Sequence, residues 1–376
     1  MGRVFGRSVH AGLAGALFFP EGGGKGSDEL QEGAMDDLSR LGLVAIGRNE
    51  GERLQRCLRS IAPGIPVVYV DSGSTDGSQD FARSLGMSVE TLSTDKGFTA
   101  ARARNAGWRR LLAEKPGLAF IQFVDGDCEL APGWLATAQA ALDAEPGLCA
   151  VFGRRRERFP QASAYNALCD DEWNVPVGLV NACGGDVLFR VAALEQVGGY
   201  SDDLIAGEEP DLCLRLGREG WRIRRIDAEM TLHDADIHSA RQQWLRARRS
   251  GHAFAEHVAR HGAHAFPDWR RQRSSIILWG GLVPALILLL ALAAVLSGSA
   301  VPGMLALLGL AAYPAQVARI AFRKWRGGAS PRFALIYGLW IMLGKFAQFG
   351  GVVRFHWKRW RGDTHRIIEY KGTRAA

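Results

Sequence analysis

The most restrictive feature of the chain is Ile276–Leu296, a run of about twenty uncharged and mostly apolar residues. A helix of that length that is apolar all round suits the hydrocarbon core of a bilayer, whereas a surface helix of a soluble domain keeps one polar face. Ser297–Ala300 breaks the run, and Val301–Phe322 resumes it with Arg319 as its one charge. Phe333–Val353 is a third apolar run, but it carries Lys345 and several glycines. Basic residues crowd around these segments, at Arg241–Arg249, Arg270–Arg273, Arg319–Arg326 and Arg354–Arg361. Positive charge marks the cytoplasmic flank of a membrane helix. Arg270–Arg273 then places the start of the first span inside, and Arg323–Arg326 places the end of the second inside. A third crossing would strand Arg354–Arg361 outside. The expectation is a membrane region over 263–376, with spans at about 276–296 and 301–322, an interfacial or re-entrant segment at 333–353, and a basic C-terminal tail. Buried core helices are the alternative, and the length of the first two runs opposes it.

The net charge of +7 follows the same clusters. Without a zinc-finger spacing or an RNA-binding signature it points to membrane rather than nucleic acid. Cys57, Cys128, Cys149, Cys169, Cys183 and Cys213 form no CxxC pair and read as reduced thiols of a cytosolic domain. Ahead of the domain, residues 1–40 read as a disordered or mis-assigned extension. Arg3 and Arg7 precede the apolar Ala11–Phe19, Pro20 and Gly22–Gly26 read as linker, and Met35 is a possible start.

Between these ends, 41–262 alternates strand and helix patterns. Leu43–Ile46 and Val67–Val70 are short apolar runs, the latter ending at Asp71, while Leu54, Cys57, Leu58 and Ile61 recur at helical spacing. Phe98–Leu112 reads as a helix and Leu118–Val124 as a strand ending at Asp125. Further on, Val187–Phe189 and Arg222–Ile226 read as strands, and Val191–Val197 and Pro210–Gly217 as helices. This is the pattern of βαβ units, an α/β fold whose ligands bind beyond the carboxyl ends of its strands. Acid-bearing turns at Asn49-Glu50, Asp71 and Asp125–Asp127 fall there.

Asp125-Gly126-Asp127 sets two carboxylates at a strand's end, with a glycine between them. Hard cations such as Mg²⁺ or Mn²⁺ take such ligands and keep positions open for diphosphate oxygens; a solvated turn is the plainer reading. Asp71-Ser72-Gly73-Ser74-Thr75-Asp76-Gly77 delivers an acid and small hydroxyls into a glycine turn that opens a helix, with Thr75 or Asp76 suited to cap it. Gly207-Glu208-Glu209-Pro210-Asp211 gathers carboxylates at a helix start. Mutual repulsion raises one pKa towards that of a general base, although acids also collect there because of the helix dipole.

In this order the segments Val44–Glu50, Val70–Ser78, Ala103-Arg104-Asn105-Ala106-Gly107, Phe123–Asp127 and Gly207–Leu216 resemble the family 2 glycosyltransferases. The resemblance covers roughly residues 41–250. It implies a GT-A fold, a Rossmann-like mixed sheet that binds nucleotide-diphosphate sugars, here followed by a C-terminal transmembrane helical hairpin. It also implies inverting transfer of a sugar from a UDP-, GDP- or dTDP-linked donor, assisted by Mg²⁺ or Mn²⁺. By this likeness Asn49, Glu50, Asp71, Ser72 and Ser74 contact the nucleoside, Arg104 lies near the donor, and Asp125 and Asp127 hold the metal diphosphate. The family's base comes from a Glu-Asp pair. Glu209 here stands where that Asp would be, so it is the first choice, with Glu208 and Asp211 open.

His233 is placed to supplement the metal or to be structural. Gly184-Gly185-Asp186 reads as an acceptor-side turn, with Trp221 as a sugar-stacking or simply packed residue. Gln243-Trp244-Leu245-Arg246 departs in order from the Gln-x-x-Arg-Trp of processive synthases, and an amphipathic helix resting on anionic headgroups suits it better. The expected enzyme sits on the cytoplasmic membrane, its catalytic domain in the cytoplasm. It acts on a glycan or lipid-linked acceptor. A processive polysaccharide synthase and a non-catalytic nucleotide-sugar-binding scaffold are the competing readings.

Overall fold

The computed structural model describes residues 38–93 and 97–362, so the expected N-terminal extension and the end of the basic tail lie almost wholly outside the described residues. The described chain forms two compact units, 38–160 with 169–235, and 161–168 with 236–362.

The first unit is built on strands β1 (Leu41–Gly47), β2 (Val67–Asp71), β3 (Ser88–Thr91), β4 (Phe120–Asp125), β5 (Cys128–Leu130), β6 (Leu148–Glu157), β7 (Gly178–Val180), β8 (Val187–Arg190) and β9 (Arg222–His233). Helices α1 (Glu52–Arg59), α2 (Ser78–Ser84), α3 (Ala100–Glu114), α4 (Trp134–Ala144), α5 (Ala164–Glu172), α6 (Val191–Val197) and α7 (Glu208–Arg218) alternate with them. One mixed sheet runs in the order β3-β2-β1-β4-β8-β6-β9-β5, with β7 on β9. The β3-β2-β1-β4 half is parallel, and β8 joins it antiparallel. Strands buried on both faces read as continuous apolar runs, and β1 and β2 are buried at nearly every position. Each fully buried valine, leucine or phenylalanine here contributes about 1.5–3 kcal/mol.

Helix α3 lies directly on this half because of Gly107. A Cβ there would come within 2.3 Å of Val44 Cγ1 and 2.9 Å of Val70 Cγ2. That approach sets Arg104, one turn earlier, at the carboxyl end of the strands. The N-cap of α2 is Gly77 in a left-handed conformation (φ 82°) rather than Thr75 or Asp76; Asp76, one residue earlier, accepts from the Ser78 N–H at 3.1 Å.

The second unit begins upstream of the expected residue 263, because α8 (Ala240–His261) packs on α12 (Pro331–Arg361). Ser239 caps α8 in a reciprocal capping box with Gln242. Helix α9 (Pro267–Ile277) passes through a π turn, Leu278–Leu282, into α10 (Val283–Ser297), and α11 (Ala300–Arg326) completes a hairpin with it. Three helices, Pro267–Ser297, α11 and α12, are long and apolar enough to cross a membrane. The segment expected to be interfacial or re-entrant is thus one unbroken helix. Glycines let its neighbours approach: a Cβ on Gly251 of α8 would meet the Gln348 carbonyl at 2.0 Å, and one on Gly351 the Arg248 carbonyl at 2.1 Å. Helix α8, expected to rest on headgroups, therefore buries Gly251, His252, Ala255 and Glu256 in its second half. Lys345, the charge that interrupts the third run, donates to Gln272 Oε1 at 3.0 Å.

Candidate active site

The acid-bearing turns converge as the strand pattern requires. Asn49 follows β1 in a left-handed conformation (φ 53°). Its N–H donates to Ser74 Oγ (2.9 Å), and its Oδ1 accepts from the Thr75 N–H (2.8 Å). Glu50 pairs with Arg53 at 3.0 Å. Asp71 is wholly buried and organises the next turn: Oδ1 accepts from Gly73 N, Ser74 N and Gln79 Nε2, and Oδ2 from the Tyr69 hydroxyl. The Ser72 N–H donates back to the Gly47 carbonyl. The β1 and β2 turns therefore form one interlocked cradle, in which Asp71 shapes the pocket and Asn49 and Glu50 stand at its more open edge.

At the end of β4, Arg104 is the centre of the charge distribution. Its buried guanidinium meets Asp125 Oδ1 at 2.9 Å, Glu208 Oε1 at 3.1 Å and Glu209 Oε1 at 3.1 Å. Burial opposes the charge on Arg104, but Glu209 and Asp125 more than offset it and raise its pKa. Gly185 presses against this pair: a Cβ there would come within 2.3 Å of Arg104 Nη2 and 2.9 Å of Asp125 Oδ2. Gly207, in a left-handed conformation (φ 83°), opens α7 so that Glu208 and Glu209 occupy its first turn. Burial and the neighbouring Glu208 push the Glu209 carboxyl up to about 7. A base with that pKa is half ionised near neutrality, where general-base catalysis is most effective.

Asp127, nearly buried, faces His233 across β5 and β9, with Oδ2 3.3 Å from Nε2. His233 Nδ1 lies 3.4 Å from Glu157 Oε2, and Trp173 packs edge-on against the ring. Burial, aided by Arg155, lowers the His233 pKa and favours the neutral imidazole. With Nδ1 turned to a carboxylate, Nε2 is the nitrogen offered to a ligand, an arrangement common behind metal-binding histidines. Ligand atoms of Asp127, Cys128 and His233 lie within 4.8 Å of one another. A carboxylate and an imidazole suit a divalent cation such as Mn²⁺. Burial raises the Cys128 pKa and keeps the thiol protonated, so it adds little.

Residues 44–176 match the model described as glycosyl transferase family 2. That segment is a family 2 glycosyltransferase domain. The chain is 28% identical over 211 residues to the glycosyltransferase AglE of Haloferax volcanii, covering 51% of this chain and 64% of the relative. To the pre-mycofactocin glycosyltransferase of Mycobacterium tuberculosis it is 26% identical over 257 residues, covering 64% and 51%. To the succinoglycan biosynthesis protein ExoA of Rhizobium meliloti it is 27% identical over 197 residues, covering 48% and 58%. The chain thus spans about half to two thirds of the length of these relatives. Among solved structures, a mannosyltransferase of Pyrobaculum calidifontis, in complex with GDP-Man and Mn²⁺, superposes with a TM-score of 0.55 at 19% identity, over 85% of this chain and 88% of that one. The first unit has the GT-A fold.

Within that family frame three of the expected site residues have other positions. Trp221 precedes β9, whereas His233 ends it, so the two lie at opposite ends of that strand; the Trp221 indole donates to Gln196. Asp186 lies beneath the site rather than on an acceptor face: it is buried, accepts from Asp125 N at 3.0 Å and from Thr231 Oγ1 at 2.8 Å, and so aims Asp125. Asp211 accepts from Ser201 Oγ (2.7 Å) and Arg215 Nε (3.0 Å), which pins α7 to the loop before it, whereas Glu208 and Glu209 turn to Arg104. The sequence reading passed over Arg155 and Glu157. Arg155 stands over Trp173 (4.8 Å) and reaches Asp186 (3.4 Å) and Asp125 (3.6 Å).

Proposed function

We propose that this protein is an inverting glycosyltransferase that moves a sugar from a nucleotide-diphosphate donor to a glycan or lipid-linked acceptor at the cytoplasmic membrane. The observation that carries the reading is Arg104, which ties Asp125 of the Asp-Gly-Asp turn to Glu208 and Glu209. It holds the donor-side and base-side carboxylates at one locus. Asn49 and Glu50 border the nucleoside cradle, and Ser72, Ser74 and Asp71 shape it. Asp127, with His233 and Asp125 nearby, would hold a divalent cation. When bound, that cation supplies charge neutralisation for the departing nucleoside diphosphate. Glu209 accepts the acceptor's proton as its oxygen attacks the anomeric carbon, the bond to the diphosphate breaks, and no covalent enzyme intermediate is required. Glu209 is one methylene longer than the aspartate of the family pair, yet burial and Glu208 give it the pKa of a base. That supports catalysis over a nucleotide-sugar-binding scaffold. The order of residues at Gln243-Trp244-Leu245-Arg246 supports single transfer over processive synthesis.

In the membrane region, the α10–α11 hairpin crosses and α12 lies along the cytoplasmic interface. Basic residues stand at both of its ends, Arg332 at one and Lys358, Arg359 and Arg361 at the other. Positive charge belongs on the cytoplasmic side.

The test is a thermal-shift series of the purified protein with UDP, GDP and dTDP and their sugars, with and without Mn²⁺. One nucleotide is expected to stabilise selectively, by about 2.7 kcal/mol at a hundredfold excess over its Kd. The gain should shrink in Asp127→Ala. No shift with any nucleotide would overturn the reading.

A further inference from the structure

In the second unit, Ile277 of the α9 end and Phe349, Val352, Val353, His356 and Trp357 of α12 line an open groove of about 410 Å³. Its floor is continuous with the packed cluster of Ala255, Ile276, Val352 and Phe355. Val353 and Trp357 leave about half of their surface exposed, so the groove is accessible along its length. Its inner wall is apolar, but its end is flanked by cations: Arg273 lies one turn before Ile277 on α9, and Arg359 one turn after His356 on α12. Arg361 lies over the Trp357 ring at 5.0 Å, and Trp360 packs beside it. Tryptophan and arginine together on a helix end are the residues that settle at headgroup level, with stems and rings in the hydrocarbon boundary.

We propose that this groove is a lipid site. It takes a hydrocarbon chain of an anionic, phosphate-headed bilayer lipid against Phe349, Val352 and Val353, and places the phosphate among Arg273, His356 and Arg359. Two properties select this occupant. The apolar wall disfavours a free phosphate or nucleotide, which would lose its own hydration there without gaining a partner. The paired arginines favour a phosphate headgroup over an uncharged lipid, because each basic side chain near a membrane surface attracts anionic lipid. A lipid held there bridges α9 to the end of α12. The proposal rests on the membrane reading of this unit and is independent of the sugar-transfer chemistry.

The experiment uses the full-length protein in nanodiscs of phosphatidylcholine doped with phosphatidylglycerol or with diacylglycerol of the same chains. Lipid retained after release is counted by native mass spectrometry. Phosphatidylglycerol should be retained in preference to diacylglycerol. Retention should fall about thirtyfold in Arg273→Gln/Arg359→Gln, the effect of two surface charges. Val353→Trp, an exposed position that fills the groove, should abolish it while leaving the circular dichroism melt unchanged. Equal retention of diacylglycerol, or wild-type retention in both variants, would overturn the lipid site. Flotation with phosphatidylglycerol vesicles separates this from failure of the membrane reading: the variants should still float, whereas a protein that never floats loses the membrane assignment itself.

Discussion

At the residue scale the proposed mechanism turns on Glu209. Three carboxylates crowd the start of α7, and their environments divide the work. Asp211 is committed to Ser201 and Arg215, Glu208 is nearly buried beside Arg104, and Glu209 is the more open of the remaining pair. Burial and Glu208 raise its pKa to about 7. The sign of the pH dependence follows: a base works only when ionised, so kcat/KM should climb as pH rises through about 7 and level off above it. Glu209→Gln removes the proton acceptor and should lower kcat by about 10²–10⁴-fold while abolishing that limb of the profile. If the limb persisted in Glu209→Gln, the titrating base would have to be another group.

At the element scale, sequence and structure agree where burial is simplest. The β1, β2 and β4 strands stand out because both of their faces are covered, so their apolar runs are unbroken, and the acids that end them fall at the strand ends as expected. Strand β6 is not legible as an apolar run because Gly153, Arg154, Arg155 and Arg156 occupy its second half. In the fold, Arg154 pairs with Asp170 and Arg156 with Glu229, from positions far away in sequence. Arg155 and Glu157 were hidden with the strand that carries them. Strand β9 runs past the expected Ile226 to His233, which sets Trp221 and His233 at opposite ends of it. The Ala103–Gly107 segment was legible as a motif, but its physical reason needs coordinates: Gly107 sets how closely α3 approaches β1 and β2. Gly107→Ala places a methyl within 2.3 Å of Val44, which overpacks the interface by about 1–3 kcal/mol. The expected outcome is a lowered Tm together with weaker nucleotide stabilisation, because Arg104 rides on the displaced helix. An unchanged Tm would show that the sheet yields to α3, and that Gly107 does not position the arginine.

At the scale of the whole molecule, hydropathy and charge give different counts of crossings. By length and apolarity all three helical segments qualify. By charge, the basic ends of α12 belong on one side. The packing of α12 helps to explain how both hold. Its first half meets the end of α11, where a Cβ on Gly338 would come within 2.8 Å of the Val317 carbonyl. Its second half meets the π turn after α9, where a Cβ on Gly280 would come within 2.3 Å of the Lys345 carbonyl and 2.7 Å of Phe349 Cβ. Leucines of the α10–α11 hairpin, by contrast, are among the most exposed apolar side chains of the chain, including Leu288, Leu289, Leu307 and Leu308. Such a surface suits the membrane placement proposed above. All six native cysteines are buried, so an introduced thiol is a clean topological reporter for an impermeant maleimide. Ala300→Cys, exposed at the hairpin tip, should be labelled in intact cells, and Arg361→Cys, exposed at the end of α12, only after permeabilisation. Labelling of both in intact cells would mean that α12 crosses, and would place its arginines outside against the charge rule. Protection of Ala300→Cys in intact cells would mean that the hairpin enters the bilayer without reaching the far side.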